Sequence, residues 1–83
     1  MATAIHKAEL VNWVHSALVE RGGQATIVQI AKHIWENHEA ELRGAGNLFY
    51  TWQYDMRWAA TELRKRGKIV PYQSSNRGIW QLK

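Results

Sequence analysis

Residues 22–38, GGQATIVQIAKHIWENH, contain the signals that decide how this chain folds. Gly22-Gly23 ends a preceding helix, because glycine adopts the left-handed conformation that a helix end requires. Gln24-Ala25 is short and extended, and Thr26 then begins a second helix with Gln29 at the spacing of a capping box. Beyond this start, one apolar stripe recurs at helical spacing: Ile27, Ile30, Ala31, Ile34 and Trp35.

The same periodicity on either side predicts two more helices. The pattern predicts a first helix over residues 5–21, a second over 27–38 and a third over 49–66, which ends before Gly67. The β-rich runs 68–72 and 78–82 flank a polar, turn-prone segment and predict a two-stranded hairpin. The resulting order of helix, short strand (24–25), helix, helix and hairpin is an α+β winged helix-turn-helix with a C-terminal β-hairpin wing.

Length and composition limit the alternatives. The chain has 83 residues, which predicts a single domain over 1–83. It contains no cysteine, so disulfide scaffolds and thiolate metal sites are excluded. No apolar run approaches the roughly 20 residues of a membrane span, and no signal peptide is visible at the start. We therefore expect a cytoplasmic protein without a membrane partner.

The charge is distributed unevenly along the chain. Residues 1–42 hold three basic and five acidic residues, whereas residues 43–83 hold eight basic and two acidic ones. A basic half is typical of a surface that binds a polyanion such as DNA. A solvated charged face is the competing interpretation.

The face of the third helix opposite its apolar stripe combines aromatic and basic residues, which suits the major groove of DNA. Arginine can hold guanine and glutamine can hold adenine, while tyrosine, threonine and lysine can contact phosphates. The start of the second helix could offer free amides to a phosphate, and the hairpin tip could lie on the backbone. The candidate DNA-binding residues are Thr26, Gln29, Tyr50, Thr51, Gln53, Tyr54, Arg57, Thr61, Arg64, Lys65, Ser75, Asn76 and Arg77.

Structural roles compete with binding roles on this helix. Trp58 can pack against the hairpin instead of facing DNA, and Tyr50 and Tyr54 can cover the edge of the core. The cations of residues 64–66 can simply match the dipole of a helix end. The remaining tryptophans are assigned to the core: Trp13, Trp35, Trp52 and Trp80.

The sequence offers no catalytic or cofactor-binding constellation. The four histidines lack metal-ligand spacing, with His33 and His38 five residues apart. The loop from Arg43 to Asn47 contains two glycines but lacks the ending of a phosphate-binding loop. We expect neither an enzyme nor a bound cofactor or metal.

Several motifs, taken in order, resemble the N-terminal winged-helix domain of Mrr-type restriction endonucleases. They are the start of the second helix at residues 22–26, Met56-Arg57-Trp58-Ala59, then Leu63, Lys65, Gly67 and Ile69, and finally Arg77-Gly78-Ile79-Trp80-Gln81-Leu82. The resemblance runs from about Leu10 to Leu82. It implies a DNA-targeting module of a restriction system, and it implies a packing role for Trp58.

Our main hypothesis is a module that binds double-stranded DNA, whose bases can be modified, with helix 49–66 in the major groove and the wing, residues 73–77, on the backbone. A second copy of the chain and a fused or associated nuclease are the further partners this hypothesis allows. The alternative is a winged helix for protein interaction or dimerisation that does not bind DNA.

Overall fold

The computed structural model describes residues 6–71 and 78–83. In chain order these contain helix α1 (Glu9–Glu20), strand β1 (Gln24–Thr26), helix α2 (Ile27–Arg43), helix α3 (Leu48–Lys65) and strand β2 (Ile79–Gln81). The described residues form a small α+β fold of three helices and one two-stranded antiparallel sheet.

Helix α1 begins later than its periodicity predicts. The helix starts at Glu9, because Lys7 and Ala8 form a turn whose carbonyls accept from N–H groups three residues ahead. The predicted start at residue 5 lies outside the described residues. Its end follows the prediction closely. Gly22 and Gly23 have φ angles of 84° and 102°, and Gly23 donates its N–H to the carbonyl of Leu18 at 2.8 Å, which closes the last turn.

Helix α2 has the predicted start but a longer body. The Thr26 hydroxyl accepts from the N–H of Gln29 at 3.1 Å, and the Gln29 side chain accepts from the N–H of Thr26 at 2.9 Å, which confirms the capping box. The predicted end at His38 is wrong. The helix bends there (φ −132°, ψ 19°) and continues to Arg43. Burial of Leu42 in the core favours this extra turn. The residues around Leu42 are polar, so the sequence did not predict it.

Helix α3 agrees with its prediction to within one residue at each end. Its buried side faces α1, with which it makes most of its contacts, and it contains Leu48, Trp52, Met56, Ala59, Ala60 and Leu63. The chain leaves the helix at Gly67, whose φ angle of 73° lets the N–H of Lys68 bond to the carbonyl of Leu63 at 2.8 Å.

The strand pairing differs from the predicted hairpin. Strand β2 pairs antiparallel with β1, with Ala25 opposite Trp80, and not mainly with the segment before the tip. In that segment the predicted strand 68–72 is reduced, over its described residues 68–71, to one bridge between Ile69 and Leu82. Pro71 contributes no N–H to a ladder, so pairing beyond this bridge is weakened.

The core lies where the three helices meet the sheet. Trp13, Trp52 and Trp80 are buried as expected, whereas Trp35 is half-buried at the edge of the core. In residues 6–71 and 78–83, no helix combines the length and the hydropathy required to cross a membrane.

Candidate nucleic-acid interface

The outer face of α3 is formed by positions that recur at helical spacing, Tyr50, Tyr54, Arg57, Thr61 and Lys65. Tyr50 is 82% exposed and Tyr54 is 79% exposed, so neither tyrosine covers the core. This finding removes the structural alternative for both rings. Large exposed rings on one helix face are typical of a binding surface.

The cations of this face are available to a ligand. Arg57 and Lys65 are exposed, and neither forms an ion pair within the described part of the chain. Arg64 is half-buried, so it lies on the shoulder of the face and not on its crest. The two cations of this face therefore have no carboxylate partner in the part of the chain that the structure describes.

The two threonines of α3 are already engaged. Thr51 donates its hydroxyl hydrogen to the carboxylate of Asp55 at 2.8 Å, and Thr61 donates to the carbonyl of Arg57 at 3.2 Å. A phosphate oxygen only accepts hydrogen bonds, so each threonine would have to break its present bond to contact one. The negative charge of Asp55 weakens the case for Thr51 further.

Three backbone N–H groups at the start of α2 are already engaged within the fold. The N–H groups of Thr26 and Gln29 are taken by the capping box, and the N–H of Ile27 donates to the carbonyl of Gly78 at 3.3 Å. The cap and the returning chain satisfy these three groups, and a phosphate contact at this end of α2 stays a prediction. The Thr26 and Gln29 oxygens are committed to the cap as well.

The remaining shoulder residue and the wing tip complete the predicted set. Gln53 is exposed on the side of α3 that faces α2. Ser75, Asn76 and Arg77 lie outside the described residues, so the predicted contact of the wing stays a prediction.

Trp58 packs against the core and does not project from the outer face of α3. It is half-buried against the core, and the Nζ atom of Lys7 lies 4.6 Å from the centre of its ring. Sequence reasoning missed Lys7, because 51 positions separate it from Trp58 and no local pattern connects them. The fold thus adds a cation beside α3, held over an aromatic face.

A groove of about 640 Å³ separates the first half of α2 from the first half of α3. The α2 wall contains Ile27, Val28, Ala31, Lys32 and Trp35. The α3 wall contains Phe49, Trp52, Gln53, Met56 and Arg57. The sequence assigned Ile27, Ala31 and Trp35 to a core stripe, and the open space beside them depends on how the helices diverge.

Two of the histidines, His33 and His38, make contacts within the fold. Nε2 of His33 lies 2.7 Å from a carboxylate oxygen of Glu20, which ties α2 to the end of α1. His38 stacks on Trp13 with ring centres 3.8 Å apart, and its Nδ1 lies 2.8 Å from Glu41. Within residues 6–71 and 78–83, no group of three His, Asp or Glu side chains is arranged to hold a metal ion.

Comparison with protein-family models, curated proteins and solved structures finds no match to this chain. The resemblance to the Mrr N-terminal domain therefore stays a hypothesis that rests on the motifs quoted above.

Proposed function

We propose that this chain is a winged-helix module that binds double-stranded DNA, as its resemblance to the targeting domain of Mrr-type restriction endonucleases implies. The order of the three helices, and a sheet between the segment before α2 and the last strand, are compatible with that fold. The observation that carries the proposal is the outer face of α3. There two exposed tyrosines accompany two cations, Arg57 and Lys65, that have no carboxylate partner within the described residues.

The proposed complex follows the usual geometry of a recognition helix. The first half of α3 enters the major groove, where Arg57 forms a bidentate pair with guanine and Gln53 can pair with adenine. Tyr50, Tyr54 and Lys65 contact phosphates and fix the register of the helix. The threonines contribute less, because their hydroxyl hydrogens are committed within α3.

The salt dependence of binding tests the proposal. Fluorescence anisotropy with a labelled 20-base-pair duplex, between about 50 and 300 mM KCl, should give a log–log slope near −4 to −5, since about five phosphates are neutralised. The variant Arg21→Ala, which removes an exposed cation at the end of α1, should leave the slope unchanged. A flat salt response would count decisively against DNA binding.

The location of the contact is a second, independent measurement. Amide chemical shifts of labelled protein, titrated with mixed-sequence duplexes, should change most in residues 50–65. Shifts concentrated on α1 would contradict the assignment of α3 as the recognition helix.

A protein-interaction or dimerisation module is the competing function, and the exposure of Tyr50 and Tyr54 is the observation that favours it. Tyrosine is enriched in protein interfaces as well as on nucleic acids. Retention on heparin or DNA-cellulose at moderate salt supports the DNA hypothesis. A stable dimer that covers α3 and ignores DNA supports the alternative.

A further inference from the structure

The groove between α2 and α3 leaves apolar side chains in water. Val28 is 75% exposed on the α2 wall, and Ile27, Ala31, Trp35 and Phe49 are only partly buried. Single exposed apolar residues are ordinary, but these five line one continuous groove. The outer face of α3 does not include them, so the DNA hypothesis leaves this surface unexplained.

The shape of the groove matches a helix. Its α2 wall uses residues 27, 28, 31, 32 and 35, and its α3 wall uses residues 49, 52, 53, 56 and 57. Each wall thus spans about 12 Å at 1.5 Å per residue, or roughly two helical turns. An amphipathic helix that lays apolar anchors between two helices fills such a space with i, i+3 or i+4, and i+7 side chains.

The charge of the groove indicates which kind of partner helix it would bind. Its lining includes two cations, Lys32 and Arg57, and no carboxylate. Neither cation forms an ion pair with any other described residue. Trp35 of the α2 wall and Phe49 of the α3 wall have ring centres 6.4 Å apart, and Lys32 lies three positions before Trp35 on α2. The complementary partner therefore carries apolar anchors on the face that enters the groove and acidic residues that can reach Lys32 and Arg57.

A nucleic acid fits this groove poorly. Trp52 is only 5% exposed, and Trp35 is surrounded by Trp52, Phe49 and the guanidinium of Arg43, which lies 5.3 Å from its ring centre. Base stacking needs an open ring face, and these rings offer little of one. The exposed apolar side chain of the lining is Val28, an aliphatic group on which a base cannot stack, and this favours a protein partner.

We propose that this groove docks an acidic amphipathic helix of a partner protein. The proposal does not rest on DNA binding, because the residues that define it, Val28 and Lys32, belong to α2 and not to the outer face of α3.

The test begins with a selection that assumes no partner. The folded chain is used to select from a phage library of random 16-residue peptides, and enriched peptides are synthesised for affinity measurements. We expect enriched sequences to combine Asp or Glu with large apolar residues at helical spacing. Basic or purely polar peptides, or a selection without enrichment, would overturn the proposal.

Matched variants then locate the site. Val28→Asp and Lys32→Glu should each weaken peptide binding by about tenfold or more, because they place a carboxylate in or beside the groove. Val19→Asp and Lys65→Glu make the same chemical changes at exposed positions outside the groove and should change affinity by less than about twofold. Equal losses in both pairs, with unfolding excluded by circular dichroism, would refute the groove as the binding site.

A final arm separates the two kinds of ligand. A single-stranded oligonucleotide, (dT)10, should leave the amide shifts of Val28, Trp35 and Phe49 unchanged. Its occupation of the groove would replace the proposed protein partner with a nucleic acid. Val28→Asp should retain binding to duplex DNA, so the failure of this proposal is distinguishable from the failure of the DNA hypothesis.

Discussion

Arg57 is the residue on which the two proposed surfaces meet. It lies on the outer face of α3 beside Tyr54, and it also lines the groove opposite Lys32. Its guanidinium forms no ion pair among the described residues, so its full charge and its planar set of donors are available. Lys65 differs, because it lies two turns further along α3 and outside the groove.

This difference between Arg57 and Lys65 predicts different losses. Arg57→Ala should cost roughly 1–3 kcal/mol of binding free energy on a preferred site and relax the preference at one base. Lys65→Ala should weaken binding to all duplexes alike and reduce the salt slope by about one. Competition binding with a panel of single-base variants measures both effects. A uniform loss for Arg57→Ala would mean that it contacts phosphate and not a base.

At the scale of elements, the start of α2 is the best predicted helix end, whereas its bend and its true end were not predicted. Its start is set by a complete capping box, and its body bends at His38, where the ring stacks on Trp13 of α1. The bend lets the last turn place Leu42 in the core. The local sequence pattern thus determines where α2 begins. The second half of the helix, after the bend, contacts α1 and the core.

The capping box can be tested by stability. Thr26→Ala should lower the free energy of unfolding by about 1 kcal/mol, because the N–H of Gln29 loses its acceptor, the Thr26 hydroxyl. Thr61→Ala is the control: its hydroxyl only bonds back to Arg57 within the helix, and alanine favours helix, so stability should stay equal or rise slightly. Urea unfolding followed by circular dichroism compares the two. An equal loss of unfolding free energy in both variants would show that the capping box does not stabilise the fold.

At the scale of the whole molecule, the last strand closes the fold. Strand β2 brings Trp80 opposite Ala25 of β1, and the bridge from Leu82 to Ile69 fastens the segment that leaves α3. Trp80 and Ile69 are both buried in the core. A segment near the C-terminus therefore joins the start of α2 to the end of α3, which orients the proposed recognition helix.

Removing the buried side chain of Trp80 from β2 should lower the stability of the fold. Trp80→Ala should destabilise the fold by about 3–5 kcal/mol through loss of buried area and the cavity left behind. The exposed Tyr54→Ala should stay within about 0.5 kcal/mol of the parent. Thermal and urea unfolding of both variants measure the contrast. A loss below about 1 kcal/mol for Trp80→Ala would show that β2 is not essential to the core.

The interface shows why sequence reasoning was only partly successful. The outer face of α3 follows from helical spacing alone, so Tyr50, Tyr54, Arg57 and Lys65 are exposed together as expected. At the start of α2, by contrast, the N–H of Ile27 is engaged by the carbonyl of Gly78, which comes from the far end of the chain. No local pattern contains such a contact.

The sequence by itself determined the three helices, their apolar stripes and their glycine stops, because these depend on side chains three or four positions apart and on single backbone conformations. Only the tertiary structure decided that β2 pairs with β1, that Lys7 lies over Trp58, and that a groove opens between α2 and α3. These features join residues distant in sequence. Each depends on how the elements pack around one core, and helical or strand periodicity carries no information about that packing.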